Sequence, residues 1–181
     1  MSNEQIRIYD LDGILYRQYC EKGLDGVFSL IKSVGSSHKD VFYFVDDKEY
    51  YRTLFEENLC IVALDRGKVI ASCCCLIGSN MTKDVIDAIG ESDIESSMLL
   101  KSYQVQEDYR GKGIGKNIIK VLLREIGISG YKIKNVYAIV HPDNVPSQRV
   151  LKACGFEKIA YSEDLYVGGP RDILKLSIDE V

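Results

Sequence analysis

The fold is decided by residues 103–117, which read YQVQEDYRGKGIGKN. Residues 98–106 are apolar and rich in β-forming side chains, and a helical pattern opens at Ile114 with Ile118, Leu122 and Ile126 on one face. Three glycines alternate with other residues between the two patterns. The stretch therefore predicts a strand, a tight turn and an amphipathic helix.

The turn has the chemistry of a phosphate site. Gly111, Gly113 and Gly115 let the backbone turn tightly, so that successive N–H groups converge. The positive end of the following helix dipole adds to the attraction for an anion. Full positive charges come from Arg110, Lys112 and Lys116.

Spacing decides among the known glycine-rich loops. A Walker loop needs one more residue before Gly-Lys and then Ser or Thr, whereas Asn117 follows Lys116. In the dinucleotide fingerprint the third glycine comes one residue later. A nucleic-acid-binding KH loop is matched only loosely. The pattern Arg110-x-x-Gly113-x-Gly115 best resembles the acyl-CoA-binding motif of the GCN5-related N-acetyltransferase (GNAT) superfamily.

A second segment strengthens the resemblance. His-Pro-Asp-Asn at 141–144 precedes Ser147, and Cys-Gly-Phe at 154–156 closes the segment. This order is similar to the Asn…Gly-Phe helix-and-strand element of the superfamily. Together the two motifs span about residues 98–159.

The resemblance implies a fold, a cofactor and a reaction. It implies an α+β fold, with a mixed, mostly antiparallel sheet of six or seven strands and helices on both faces. It also implies acetyl-CoA as co-substrate, with pantetheine lying in a gap between two splayed strands, and direct acetyl transfer to a small-molecule or peptide amine in a ternary complex. The residues expected to bind acetyl-CoA are Val105, Gln106, Glu107, Arg110, Gly111, Lys112, Gly113, Ile114, Gly115, Lys116, Asn144 and Ser147.

Acyl transfer from a thioester needs few side chains, because an oriented, deprotonated amine can attack directly if a donor meets the oxyanion. By resemblance that donor is the backbone of Val105. His141 ends a strand beside the expected gap, and histidine suits proton transfer near neutral pH, so it is the candidate general base. Glu107 and Glu95 are alternative bases.

The usual general acid of the superfamily is absent. It is a tyrosine seven residues after the helix-initiating Asn, and counting from Asn144 places Leu151 there. The role stays open between Tyr103, Tyr137, Ser147, water and no acid at all, since a CoA thiolate is a tolerable leaving group.

Length and charge restrict the class of protein. A chain of 181 residues suits a single N-acetyltransferase domain, residues 1–181. With 23 basic and 27 acidic residues the net charge is −4, which argues against a protein that grips nucleic acid through phosphates. We expect a cytoplasmic protein without a membrane segment. A homodimer stays open as an assembly.

The six cysteines predict neither disulfides nor a metal site. Residues 73–75 are three consecutive cysteines in a strand-like run, where neighbours point to opposite faces and cannot converge on one ion. Cys20, Cys60 and Cys154 lack any metal-ligand spacing. Buried, reduced thiols are the expectation, with a catalytic thiol in the triplet as the alternative.

Local patterns predict the remaining elements. They are a strand at 5–9; helices between Asp12 and Ser33, broken by Gly13, Gly23 and Gly26; a helix capped by Asp46 or Asp47; a hairpin of 60–64 and 69–77; a short helix capped by Thr82; strand 135–140 parallel to 98–106; a helix from Asn144; and a terminal hairpin of 156–165 and 171–178 across 168–170. We also expect the acid-rich segment 78–95, opposed only by Lys83, to border the acceptor site and favour a cationic amine.

Three function classes remain. The first is an acetyltransferase, and the second is an acyl-CoA-binding sensor module with weak catalysis, suggested by Leu151. The third is a nucleic-acid-binding glycine-loop protein.

Overall fold

The structure is a computed structural model that describes residues 7–37, 44–165 and 169–178. Within these ranges it has eight strands and five α-helices. In chain order they are β1 Ile8–Leu11, β2 Ile14–Gln18, α1 Leu24–Ser37, α2 Lys48–Glu56, β3 Leu59–Asp65, β4 Lys68–Ile77, α3 Asn80–Ala88, β5 Ser97–Val105, α4 Ile114–Ile128, β6 Asn135–Val140, α5 Val145–Ala153, β7 Glu157–Ser162 and β8 Arg171–Ser177.

One mixed sheet organises the chain, in the order β1-β2-β3-β4-β5-β6-β8-β7. Neighbours pair antiparallel except β5 and β6, which are parallel and joined through α4. The predicted α+β class and the parallel pair are therefore confirmed. The expected six or seven strands are eight, because the N-terminal part adds a hairpin.

That hairpin corrects the prediction of helix after Asp12. Asp12 and Gly13 have φ of 54° and 77°, so both central residues are left-handed, as a tight hairpin turn between β1 and β2 requires. Gly26 does not break α1, within which it lies. A Cβ on Gly26 would lie 2.8 Å from Cγ2 of Val69, so the glycine lets the helix approach β4 closely.

The helices cover both faces of the sheet and enclose two apolar cores. α4 and α5 cover one face, where Ile118, Leu122 and Leu151 are buried. α1, α2 and α3 cover the other, with buried residues such as Ile31 and Phe55. This arrangement on both faces follows the prediction.

Helix caps agree with the sequence analysis at two positions and differ at one. Asp47 accepts the N–H groups of Glu49 and Tyr50, and Asn144 accepts that of Ser147. The N-cap of α3 is Ser79 and not the predicted Thr82. The Ser79 hydroxyl accepts the backbone N–H of Thr82, and Thr82 is a buried residue within the helix. Gln5 of the predicted first strand and Gly168 of the predicted last turn lie outside the described residues.

No helix among the described residues is long and apolar enough to cross a membrane.

Candidate active site

A gap opens in the middle of the sheet between β5 and β6. Their parallel pairing runs from Ser97 opposite Asn135 to Leu100 opposite Ala138 and goes no further. β5 nevertheless continues to Val105. The last five residues of β5 therefore have a free edge toward β6, the splay implied by the resemblance.

Backbone alternation directs Val105 into this gap. The N–H of Gln106 donates to the carbonyl of Ile70 at 2.8 Å, on the β4 side. Consecutive residues of an antiparallel strand send their backbone groups to opposite sides, so those of Val105 face β6. In this structure the Val105 carbonyl accepts a hydrogen bond from Nε of Arg110 at 3.1 Å.

A bulge in β5 lies beside the same edge. The pairing with β4 passes from Lys101 opposite Cys74 to Gln104 opposite Ser72, with one extra residue on β5. Ser102 has φ of 50°, a left-handed backbone that the bulge imposes on a non-glycine residue. By the alternation from Gln104, the backbone of Tyr103 also faces the gap. The sequence predicts a role for Tyr103 only as a side-chain acid, so the placement of its backbone is a new finding.

The glycine loop borders a cavity of about 390 Å³. Gly111 and Gly113 have φ of 74° and 79°, and Gly113 forms the N-cap of α4. The first N–H groups of that helix therefore point toward the cavity. Among the predicted cofactor-binding residues, the cavity is lined by Val105, Arg110, Gly111, Gly113, Ile114, Gly115, Lys116, Asn144 and Ser147.

Three other predicted cofactor residues do not line this cavity. The N–H of Gln106 is bound within the sheet. Glu107 is exposed in a short 3-10 turn. Lys112 Nζ lies 5.3 Å above the ring of Tyr109. Their contacts with CoA stay predictions.

Gly115 has a packing role besides its place in the motif. A Cβ there would lie closer to Oη of Tyr103 than the 3.0 Å that real Cβ atoms keep from other heavy atoms. The Tyr103 ring thus fills the space beneath the first turn of α4. Burial raises the pKa of this phenol, so it stays neutral.

A second cavity, of about 160 Å³, continues the cleft on the other side of Tyr103. It shares Tyr103, Asn144 and Ser147 with the cavity at the glycine loop. Its other walls come from α2, α3, β5, β6, α5 and β8, and include Tyr50, Met81, Lys101, His141, Leu151 and Arg171. One cleft therefore joins the glycine loop to a second compartment beside the splayed strands.

His141 lies in this second compartment with its side chain 13% exposed. Its Nδ1 accepts the backbone N–H of Asp143 at 3.2 Å. A neutral imidazole that accepts at Nδ1 carries its proton on Nε2. To accept a proton at Nε2, the ring must first carry its own proton on Nδ1, which breaks the bond from Asp143. The role of His141 as general base stays a prediction.

Leu151 occupies the position where the superfamily has tyrosine. It is 1% exposed, and it lines the second compartment. The aliphatic side chain offers no proton, so no acid comes from this position.

The other acid and base candidates differ in their placement. Tyr137 donates its hydroxyl to Glu91 at 2.6 Å and does not line either half of the cleft. Burial, and then this bond to Glu91, raises the pKa of Tyr137. Glu95 and Glu107 are exposed and also lie outside the cleft lining. Tyr103 and Ser147 do line it.

Two carboxylates of the acid-rich segment 78–95 are paired with lysines outside the cleft lining. Lys175 Nζ binds Glu91 at 2.8 Å, so Lys83 is not the only opposing cation, and Lys83 itself pairs with Asp87. α3 reaches the cleft through Met81, but no carboxylate of the segment is among the residues that line it. The expectation of an acidic border is therefore wrong for the described part of this cavity.

The thiols agree with a structural role. Cys73 and Cys75 face one core and Cys74 the other, and all three are fully buried. Burial raises the pKa of Cys73 and of Cys75 well above the ordinary value of a thiol, which disfavours a reactive thiolate. The described residues contain no cluster of three or more potential metal ligands.

A larger cavity of about 1080 Å³ lies away from the glycine loop. It is bordered by Arg7, Gln18 and Glu125, at the side of β1 and β2. The buried carboxylate of Glu125 is already bound by Arg7, Gln18 and the Tyr9 hydroxyl. The size of a cavity alone therefore does not identify the active site. The free edge of β5 and the glycine loop meet at the smaller cavity, which is the better candidate.

Comparison with known proteins agrees with this geometry. The model of the acetyltransferase (GNAT) family matches residues 31–156, well over half of the chain. The protein belongs to the acetyltransferase (GNAT) family, as the two motifs predicted.

Individual relatives are distant. A spermine/spermidine N(1)-acetyltransferase of Bacillus subtilis (strain 168) is 26% identical over 85 residues, 47% of this chain and 53% of that protein. The chain thus matches about half the length of this curated relative.

Solved structures show the same fold. The ribosomal-protein-S5-alanine acetyltransferase from Vibrio fischeri superposes with a TM-score of 0.75 at 16% identity, over 96% of this chain and 98% of that one. A ribosomal L7/L12 α-N-protein acetyltransferase in complex with coenzyme A has a TM-score of 0.72 at 12% identity, over 96% and 99%.

Proposed function

We propose that the protein is an N-acetyltransferase that moves the acetyl group of acetyl-CoA to a primary amine by direct attack in a ternary complex. The observation that carries the proposal is the cleft between β5 and β6, where free backbone groups of one strand meet the glycine loop that starts α4. Membership of the GNAT family and the fold shared with a coenzyme A complex support the choice of cofactor.

The cofactor would occupy the cavity at the glycine loop, which is the first compartment of the cleft, and would contact both the loop and the free edge of β5. The pyrophosphate is assigned to the N–H groups from Gly111 to Lys116, assisted by the charges of Arg110 and Lys116. Pantetheine would pair with the free edge at Val105 as an added strand does. The Val105 carbonyl would then exchange its bond to Arg110 for one to a pantetheine amide, which releases the guanidinium for phosphate.

The transfer itself needs one bond made and one broken. The neutral amine attacks the thioester carbon, the carbonyl oxygen takes up negative charge, and the C–S bond then breaks to release CoA thiolate and the amide. Backbone N–H groups of Val105 or Tyr103, which face the gap, are the proposed donors to the oxyanion. The attacking nitrogen loses its proton to His141 or to water. With Leu151 in place, the thiolate leaves without a tyrosine acid or receives a proton from Ser147 or water.

The acceptor belongs to the amines. Both the curated relative and the structural neighbours are named for transfer to amines, namely polyamines and ribosomal proteins. The cytoplasm is the proposed location, because all six cysteines are free thiols, which persist in a reducing compartment.

The sensor module is the second candidate function, and Leu151 favours it. It would bind acetyl-CoA in the same cleft without turnover, since the proton donor usual at this position is missing.

Two measurements on the intact protein separate these possibilities. Calorimetric titration of acetyl-CoA measures binding, and thiol release upon addition of a panel of amines measures transfer. Binding together with amine-dependent thiol release supports the transferase. Binding without release by any amine supports the sensor, and absence of binding contradicts both.

A further inference from the structure

Two cationic side chains line the second compartment of the cleft. Lys101 from β5 and Arg171 from β8 both line it. The described residues that line it include no Asp or Glu. The compartment therefore presents cations, and no carboxylate from its described walls, to whatever enters beside the splayed strands.

Lys101 reaches this compartment through its place on β5. Leu99 packs in the core beneath α1, α2 and α3, and Lys101 lies two residues further on the same face of the strand. Its Nζ lies 2.8 Å from Oη of Tyr50, 2.9 Å from Sδ of Met81 and 5.6 Å above the Tyr50 ring. These contacts hold the ammonium at the wall of the cavity.

Within the described part of the chain, the partners of Lys101 leave its charge uncompensated. A tyrosine hydroxyl and a thioether are neutral, and the ion pairs among the described residues do not include Lys101. A partly buried ammonium without a counter-charge is costly, so an anion that enters beside it gains a charge-assisted bond.

Arg171 adds charge on another wall. It is 7% exposed, and its Nη1 donates to the carbonyls of Gly169 at 3.2 Å and Pro170 at 2.8 Å. These carbonyl bonds hold the guanidinium in place. The guanidinium is therefore a fixed part of this wall, and the attraction for an anion comes from Lys101.

We propose that the acceptor is a small amine that also carries an anionic group, and that Lys101 binds this group while the amine reaches the thioester. The inference rests on the proposed transferase function and names its substrate class. It replaces the cationic acceptor expected from segment 78–95, whose Glu91 and Asp87 are bound to Lys175 and Lys83. A carboxylate and a phosphonate share the required chemistry.

The test compares acceptors that share one carbon frame. Thiol release from acetyl-CoA is measured with an α-amino acid, its carboxamide, the amine left by removing the carboxylate, and the matching aminoalkyl phosphonate, with spermidine as the polyamine. One of the two anionic amines should exceed the carboxamide in kcat/KM by about tenfold or more, as expected of a charge-assisted contact. The faster anionic amine identifies the kind of anion.

Two variants assign the preference to Lys101. Lys101→Met keeps the length of the side chain and removes its charge, so it should bring the anionic amine and the carboxamide to similar kcat/KM while rates with the carboxamide persist. Lys101→Arg keeps the charge and should keep the preference. A parent protein that prefers the carboxamide or spermidine overturns the proposal, as does a preference that survives in Lys101→Met.

Failure of the transferase function is distinguishable from failure of this inference. If no amine releases thiol, the CoA-bound protein is titrated calorimetrically with the N-acetylated amino acid and phosphonate and with the N-acetylated carboxamide. Tighter binding of either anion, lost in Lys101→Met, still supports the anionic site. Equal binding of anion and amide contradicts it.

Discussion

Replacement of Gly115 by alanine tests whether Tyr103 supports the start of α4. An added Cβ would overlap Oη of Tyr103, while Cζ lies at 3.3 Å and Cγ2 of Val105 at 3.6 Å. The hydroxyl is therefore the atom that must move, and overpacking of this kind costs roughly 1–3 kcal/mol. Alanine also favours the helix by about 1 kcal/mol over glycine. We expect a net loss of about 0–2 kcal/mol in the free energy of unfolding.

The same helix supplies a matched control, and Tyr103 supplies the partner for a double-mutant cycle. Gly127 lies in α4 with no atom within 4 Å of an added Cβ, so Gly127→Ala should stabilise the protein by about 0.5–1 kcal/mol. In a Tyr103→Phe background Gly115→Ala should approach the effect of Gly127→Ala, because the overlapping oxygen is gone.

Urea unfolding followed by far-UV circular dichroism measures all five proteins. The cycle should give a coupling energy of about 1–3 kcal/mol between positions 103 and 115. If Gly115→Ala is as stable as Gly127→Ala in the parent background, the close packing of Tyr103 against the helix is refuted.

Three further predictions concern the glycine loop, Leu151 and the pH dependence of stability. Gly113 has φ of 79° and open space where a Cβ would lie, and Asp and Asn both tolerate that backbone. In calorimetry, Gly113→Asp should therefore weaken acetyl-CoA binding ~100-fold more than Gly113→Asn. The difference comes from about 3 kcal/mol of repulsion between the carboxylate and a phosphate at about 6 Å. Equal affinities of the two variants would contradict a phosphate at this loop. Leu151→Phe should keep kcat within several-fold and lower the free energy of unfolding by about 1–3 kcal/mol through overpacking. A hundredfold fall in kcat, with the fold and the acetyl-CoA affinity retained, would show that this position takes part in the chemistry. Lys175 and then Tyr137 hold the pKa of Glu91 below its ordinary 4.5, so their stabilisation is present above that pH and is lost as pH falls through the lowered value. Urea unfolding should show Glu91→Gln less stable than the parent at pH 7, with the difference shrinking as the pH falls below 4.5; a difference that does not shrink in acid would argue against the linkage.

The central half of the fold could be predicted because local signals there agree with each other. The alternating glycines, the apolar strand before them and the 3.6-residue pattern after them each indicated the same β5–α4 unit, and β6 has the predicted bounds, Asn135–Val140. The family match over residues 31–156 covers the same region.

The N-terminal part was mispredicted for two physical reasons. Asp12-Gly13 is a strong hairpin signal, but the spaced apolar residues after it predict a helix. A glycine at position 26 predicts a helix break, although its small size is what permits α1 to touch Val69. A close approach between elements distant in sequence leaves no local pattern.

The second compartment was not predicted for a similar reason. Lys101 lies on β5, Tyr50 on α2, Met81 on α3 and Arg171 on β8, and only the folded sheet brings them to one cavity. The acid-rich segment has a strong local composition, but Glu91 is bound by Lys175 and Asp87 by Lys83. The contact of Glu91 with β8 is a tertiary one, which the local composition does not show.

A crystal structure of the protein with acetyl-CoA would locate the cofactor directly. We predict the pyrophosphate against the backbone from Gly111 to Lys116, pantetheine along the edge of β5 at Val105, and the thioester carbonyl facing the N–H of Val105 or Tyr103. Acetyl-CoA bound instead in the larger cavity beside Arg7 and Glu125, with the gap between β5 and β6 empty, would contradict this prediction.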